Sequence, residues 1–160
     1  MREILFRGKR IDNGEWVSSG NLIRFNPENG EDLVFIPALN EPCSCVHDEK
    51  DNIIAFEKGM FYKVDTKTVG QYTGLKDKNG KRIFEGDIVE SIYTKKPYAV
   101  CFGEYTYIDG YEDEQSACGW YDTEKCGYAT AFGIPDTWAI VIGNIHDNPE
   151  FLEVDHADRT

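Results

Sequence analysis

No stretch of this 160-residue chain comes near the roughly 18 consecutive apolar residues of a membrane-crossing helix, which excludes a helical membrane protein. Its opening, Met1-Arg2-Glu3-Ile4-Leu5-Phe6-Arg7, spaces charges too closely for the apolar stretch of a signal peptide. No targeting segment is therefore expected, and the reading is of a soluble protein inside the cell. Cysteine is scarce and odd in number, five in all. Without a secretory signal, that argues for reduced thiols over a disulfide framework. Positive charge is also in short supply: 17 Lys and Arg stand against 29 Asp and Glu, for a net charge of −12. A field of that sign opposes DNA, RNA and anionic lipid. No long helical period and no internal repeat is visible.

Catalytic signatures are missing as well. The nucleophile elbow G-x-S-x-G, the P-loop and the dinucleotide fingerprint are all absent. Histidine occurs only at 47, 146 and 156. The expectation is a protein that is not an enzyme and carries no cofactor.

What the chain does have is aromatic residues and turns. Nine Phe, nine Tyr and three Trp supply a core, and 15 Gly favour reversals over long helices. The clearest stretch is Val64 to Val89. Thr68 to Leu75 is rich in Val, Thr and Tyr, which suit a pleated surface. Asp77-Lys78-Asn79-Gly80-Lys81 then supplies the Asn-Gly pair that tolerates the positive φ of a hairpin turn, and Lys81 to Phe84 returns. Asp12-Asn13-Gly14-Glu15 and Pro27-Glu28-Asn29-Gly30 repeat this chemistry. Ile4–Ile11 pairs with Trp16–Ile23 across the first, with Trp16 as a core anchor, and Leu33–Ile36 is a short apolar strand. Pro37 to Asp51 reads as a surface loop. Thr137 to Ile142 is nearly all apolar and fits a strand buried on both faces. At the end, Asn148 is placed to cap a short helical or 3₁₀ turn that begins at Pro149. The fold expected is mainly β: antiparallel hairpins with short helical turns at most. Its parts are an N-terminal hairpin and meander with an acidic loop over 1–57, a β core over 58–154 and a polar tail over 155–160, together one compact unit.

Three blocks are distinctive enough to suggest kinship. VGQYTGLKDKNGKRIFEGDIV (69–89) resembles the signature of the YopX-like family of phage and prophage proteins. REILFRGKRIDNGEWV (2–17) and WAIVIGNIHDNPEFLE (138–153) are similar to that family's two ends, in the same order. The resemblance implies a mainly β, SH3-like barrel or roll, a mobile genetic element as source, and action in the cytoplasm of a bacterial host. It brings no catalytic residues.

Three candidate sites follow from the residues. Charge is unevenly spread, with about −7 over 26–57 and about −11 over 101–160. Asp48, Glu49, Asp109, Glu112, Asp113 and Glu114 are the candidate contacts to a basic host or phage protein, the alternative being ordinary solvated loops. A more basic stretch sets Lys76, Lys78, Lys81 and Arg82 beside Tyr72. Small β-barrels bind single-stranded nucleic acid with such cations and a stacking ring. The competing reading makes Tyr72 core and the charges its outer face. Finally, Cys43-Ser44-Cys45-Val46-His47 gathers soft ligands. Alternate residues of an extended strand sit about 7 Å apart, whereas thiolates sharing zinc need their sulfurs within about 4 Å. Metal would need a turn there and a further ligand from Cys101, Cys118, Cys126 or His146, so none is expected. Of the carboxylates, Asp109 to Glu114 miss the calcium-loop spacing, and Asp77 to Gly80 lack its later Glu. No membrane partner is expected, and self-association is left open.

Overall fold

The computed structural model describes residues 3–26, 32–38, 45–47, 53–56, 61–108, 111, 113–123, 129–131 and 135–153. It is mainly β and antiparallel, as the turn chemistry implies, with short 3₁₀ turns and no α-helix among the described residues. The chain forms two compact units, Met1–Gln71 and Tyr72–Thr160.

The first unit holds β1 (Phe6–Lys9), β2 (Trp16–Ser19), β3 (Ile23–Phe25), β4 (Leu33–Pro37), β5 (Cys45–His47), β6 (Ile53–Phe56), β7 (Phe61–Val64) and a 3₁₀ turn, η1 (Thr66–Thr68). β1 and β2 pair across the Asp12–Glu15 reversal, with Gly8 opposite Val17. Gly14 sits there at φ 75°, where a side chain is strained. The Asn13 carboxamide oxygen accepts from Glu15 N–H at 3.0 Å and tightens the turn. β4 alternates buried and half-buried residues, so Val34 and Ile36 enter the core with Val64 from β7. Val17, Leu22 and Val69 pack around them. Backbone bonds from Asp65 N–H to Lys9 carbonyl (2.9 Å) and from Ile11 N–H to Lys63 carbonyl (3.1 Å) tie the first hairpin to β7.

The surface loop expected over Pro37–Asp51 is not irregular throughout. Cys45–His47 forms β5, which pairs antiparallel with β6. Its Val46 sits opposite Ala55, and alternation of apolar Val46 with polar neighbours is the only strand signal such a short segment offers. Trp16, read as a core anchor, is half-buried and has the Arg7 guanidinium 4.7 Å from its ring. The turn at 27–30 lies outside the described residues.

Strand β8 (Gly70–Lys76) crosses the boundary. Gly70 and Gln71 pair with Arg7 and Phe6 in the first unit. Tyr72 and Lys76 pair with Phe84 and Arg82 in the second. The second unit continues with β9 (Arg82–Phe84), β10 (Asp87–Ser91), β11 (Pro97–Ile108), β12 (Glu114–Thr123), β13 (Ala129–Ala131), η2 (Pro135–Thr137), β14 (Ala139–Asn144) and η3 (Pro149–Leu152). A five-stranded sheet runs in the order β13-β12-β11-β10-β14 and curls into a half-barrel. Ile83, Val89, Val100, Ala139 and Val141 form its core, with Leu75, Tyr98, Trp120 and Trp138 packed on them.

Two local expectations change here. β14 is not buried on both faces: it alternates, with Ala139 and Val141 buried and Ile140 and Ile142 half-buried. An apolar run cannot distinguish the two cases, because Ile serves either. The 3₁₀ turn at Pro149 forms, but Asn148 makes no side-chain cap. Asn144 does the local work, its carboxamide oxygen accepting from the His146 and Asp147 N–H groups at 3.0 and 2.9 Å.

Candidate functional site

Two features of the second unit reach solvent with unusual chemistry. The first is the reversal between β8 and β9. Gly80 takes φ 82° and its N–H donates to the Asp77 carbonyl at 2.9 Å, as the Asn-Gly signal requires. The Asp77 side chain, only 2% exposed, points inward. One carboxylate oxygen accepts from the Asn79 and Lys81 N–H groups, each at 2.8 Å, and the other from Val141 N–H on β14 at 3.0 Å. Lys78 N–H donates to the Ala139 carbonyl at 3.0 Å. The turn thus covers the outer edge of β14 with hydrogen bonds that a neighbouring strand would otherwise supply. Because the acid is consumed internally, Lys76, Lys78, Lys81 and Arg82 are left exposed around it.

The second feature is the ribbon of β11 and β12, paired continuously from Ala99 opposite Thr123 to Ile108 opposite Glu114. Among the described residues, only the root of β11 pairs with a second strand, where β10 meets Pro97, Tyr98 and Ala99. Beyond it, Phe102 is 55% and Ile108 60% exposed. Successive residues alternate faces. Val100, Phe102, Glu104, Thr106 and Ile108 therefore share one face with Glu114, Ser116, Cys118 and Trp120, and Phe102 meets Trp120 edge-on at 4.9 Å. The opposite face carries Cys101, Gly103, Tyr105 and Tyr107 with Gln115, Ala117, Gly119 and Tyr121. Tyr105 stacks on Tyr121 with ring centres 5.1 Å apart and approaches Tyr107 at 5.9 Å. Between Pro97 and Thr123 there are six carboxylates and no Lys or Arg.

The same architecture is the setting for a family match. The sequence fits the family model described as "YopX protein" over residues 5–153. The chain belongs to the YopX family. No curated protein matches it.

Within this YopX-family chain, the sequence-derived site residues fall unevenly. Asp113 is exposed just before β12 and Glu114 is exposed at its first position, so both stand at the ribbon's far end. Asp48, Glu49, Asp109 and Glu112 lie outside the described residues. Tyr72 is only 3% exposed and packs on Phe84 at 5.5 Å, with the Arg82 guanidinium 5.9 Å from its ring. It is a core residue of the hairpin and has no open face for a base. Cys43 lies outside the described residues, and Cys45 and His47 are described only as backbone of β5. No cluster of His, Cys, Asp or Glu fit to hold a metal ion occurs among the described residues. No helix among them is long and apolar enough to cross a membrane.

Two other features of the YopX-family chain have a structural account. Burial pushes the Cys101 thiol above its usual pKa, and a hydrogen bond with Tyr121 offsets this only in part. Thiolate is the reactive form, so this position is poorly suited to nucleophilic chemistry. In the first unit, Leu22, Arg24, Asp32, Val34, Thr66 and Val69 line a cleft of about 340 Å³. Its charges answer each other: Arg24 pairs with Asp32, which also accepts from the Asn26 carboxamide at 2.9 Å. The ribbon's tyrosine face and the inward Asp77 were not singled out from sequence. Alternation of Tyr105 and Tyr107 was the available signal for the first. For Asp77 there was none, because Asp-x-Asn-Gly reads as a turn whichever way the carboxylate points.

Proposed function

We propose that this protein is a non-enzymatic accessory module, encoded by a phage or prophage, that binds a host or phage protein inside the bacterial cell. The contact surface is the acidic ribbon of β11 and β12. One observation carries the reading: a long exposed hairpin that bears carboxylates and aromatic rings but no cation of its own. Such a surface favours a basic partner and uses charge to speed encounter. Family membership agrees with this reading and adds no activity to it.

The test is a pull-down from infected host lysate with paired baits, the natural chain and a variant carrying Glu112→Gln, Asp113→Asn and Glu114→Gln. The natural bait should retain a basic protein that elutes as salt rises, and the variant should retain several-fold less. Equal retention by both baits at low salt would remove the acidic ribbon as the contact surface.

A second reading rests on the exposed quartet Lys76, Lys78, Lys81 and Arg82, whose neighbouring acid is turned inward. It would place single-stranded nucleic acid at the hairpin turn, held through phosphate alone, since Tyr72 is buried. Binding of that kind falls steeply with salt. A gel shift at low salt that vanishes at moderate salt, and is lost when the three lysines become Gln, is the expected result. No shift at low salt disposes of it.

A further inference from the structure

The loop between β10 and β11 lies beside the basic turn between β8 and β9, with the entry to β14 between them. Lys78 N–H donates to the Ala139 carbonyl at 3.0 Å, and Ile92 N–H to the preceding carbonyl, that of Trp138, at 2.8 Å. Carbonyls of successive residues in an extended segment point to opposite sides. The two reversals therefore flank one strand at roughly 10 Å, two strand spacings. Within the loop, the hydroxyl of Ser91, a residue only 6% exposed, accepts from the Tyr93 and Thr94 N–H groups at 3.3 Å each. Lys95 N–H donates to the Ser91 carbonyl, and Ser91 N–H to that of Lys96, which closes the loop. Tyr93 is thus held by its backbone and is 76% exposed, with no ring stacked on it among the described residues.

Lys95 sits in this loop at φ 59°, the one positive φ outside glycine among the described residues. Glycine or asparagine adopts that conformation at less cost. Backbone held in this way points to function. The ion pair of Lys95 does not account for a lysine there: its Nζ lies 3.7 Å from Glu90 Oε1 with the lysine largely exposed, and such pairs contribute little. Residues 76–82 and 90–96 carry six Lys and Arg against Asp77 and Glu90, and η2 adds Asp136. Of these acids, Asp77 is turned inward. The first turn can hold phosphate alone, because Tyr72 is buried. The second reversal supplies what it lacks, an exposed ring, together with two further cations.

From this juxtaposition we infer that Tyr93, Lys95 and Lys96 extend the turn of Lys76, Lys78, Lys81 and Arg82 into one site for single-stranded nucleic acid. A base stacks on Tyr93, and phosphates track the cations. The inference rests on the nucleic-acid reading of the turn and adds the stacking residue. A single strand meets mainly the field of the two reversals, since charges beyond a Debye length of about 8–10 Å are largely screened. An anionic membrane is a broad surface and also faces carboxylates elsewhere on a chain of net charge −12. An acidic peptide without aromatic groups leaves the ring unused.

The experiment measures binding of the full chain to a short fluorescent oligothymidylate and to an abasic strand of the same length, by anisotropy at low salt. The thymidylate should bind roughly tenfold more tightly, the difference that one stacked base contributes. Tyr93→Leu should remove that preference and leave the abasic affinity unchanged, whereas Tyr93→Phe keeps the ring and should preserve it. Lys95→Gly should weaken both strands several-fold with a urea midpoint no lower than the natural chain's, because glycine accepts the positive φ. A lysine with a merely structural role does not predict that split. Equal affinity for the two strands, a preference that survives Tyr93→Leu, or full affinity after Lys95→Gly overturns the inference and leaves the phosphate-only turn standing. Binding of neither strand overturns both, and sedimentation with anionic phospholipid vesicles in that case makes the patch a membrane contact.

Discussion

Asp77→Ala should lower the stability of the second unit by about 4 kcal/mol. The carboxylate is buried and accepts three backbone N–H groups, from Asn79, Lys81 and Val141. Hydrogen bonds to an ionised acceptor contribute about 1.5–3 kcal/mol each, and a buried donor left without a partner costs a similar amount, although the terms do not add fully. Alanine removes both acceptor oxygens, and with them all three bonds, and admits water only where the turn is already open. Asp77→Asn separates the contributions. Its remaining oxygen can serve the two N–H groups of the turn, while its NH₂ would face the Val141 N–H, donor against donor. Asparagine should therefore cost about half as much as alanine, nearly all of it from the edge of β14. Urea unfolding of the three proteins checks this, with midpoints ordered natural, Asn, Ala and an unchanged slope. A loss under about 1 kcal/mol for Ala would mean that water replaces the carboxylate, and that β14 does not depend on it.

The contrast between turn and carboxylate shows what a sequence of this kind discloses. Reversals are local: a glycine beside asparagine is written into two adjacent residues, and both described Asn-Gly turns, at Gly14 and Gly80, adopt the positive φ expected of them. Strand positions followed from β-branched and aromatic content, and three ordered blocks pointed to the family. Orientation is not local. Whether Asp77 turns in or out depends on an N–H sixty-four residues away, and no spacing rule reaches that far. Tyr72 illustrates the same point from the other side. Flanked by cations in sequence, it fitted a stacking platform, yet pairing with Phe84 carries it inward. The segment around Cys45 was read as loop because a three-residue strand gives periodicity too few repeats to register.

The acidic ribbon was half visible for a related reason. Carboxylates at 109–114 and alternating tyrosines were plain in the sequence, but separately. Only the register that sets Gly103 opposite Gly119 brings rings, bare backbone and charge onto one thin ribbon. A hairpin with exposed Phe102 and Ile108 also invites unwanted pairing. The carboxylates counter this, since two copies of the ribbon repel one another. On the proposed reading, the charge that draws in a basic partner would also keep two copies apart.

Gly8→Ala should destabilise the first unit by about 2 kcal/mol, although alanine is a small residue and β1 is an ordinary extended strand. The cause is a close approach. A Cβ at position 8 would stand 2.8 Å from Val64 Cγ2 and 2.9 Å from its Cβ. Val64 cannot retreat easily, being 1% exposed, paired with Val34 and packed in the core with Val34 and Ile36. Either β1 lifts away from β7, weakening the bonds of Asp65 to Lys9 and Ile11 to Lys63, or the valine leaves its rotamer. Val64→Ala alone leaves a void and should cost about 2 kcal/mol by lost burial and cavity formation. In the double variant the new methyl occupies space that the shortened side chain vacated. Its loss should stay near about 2 kcal/mol, where independent effects would give about 4, a favourable coupling of about 2 kcal/mol. Simple additivity in this cycle, measured by thermal or urea unfolding, would show that the two residues do not compete for one volume. The glycine would then be conserving only backbone freedom, and the packing of β1 on β7 would need another explanation.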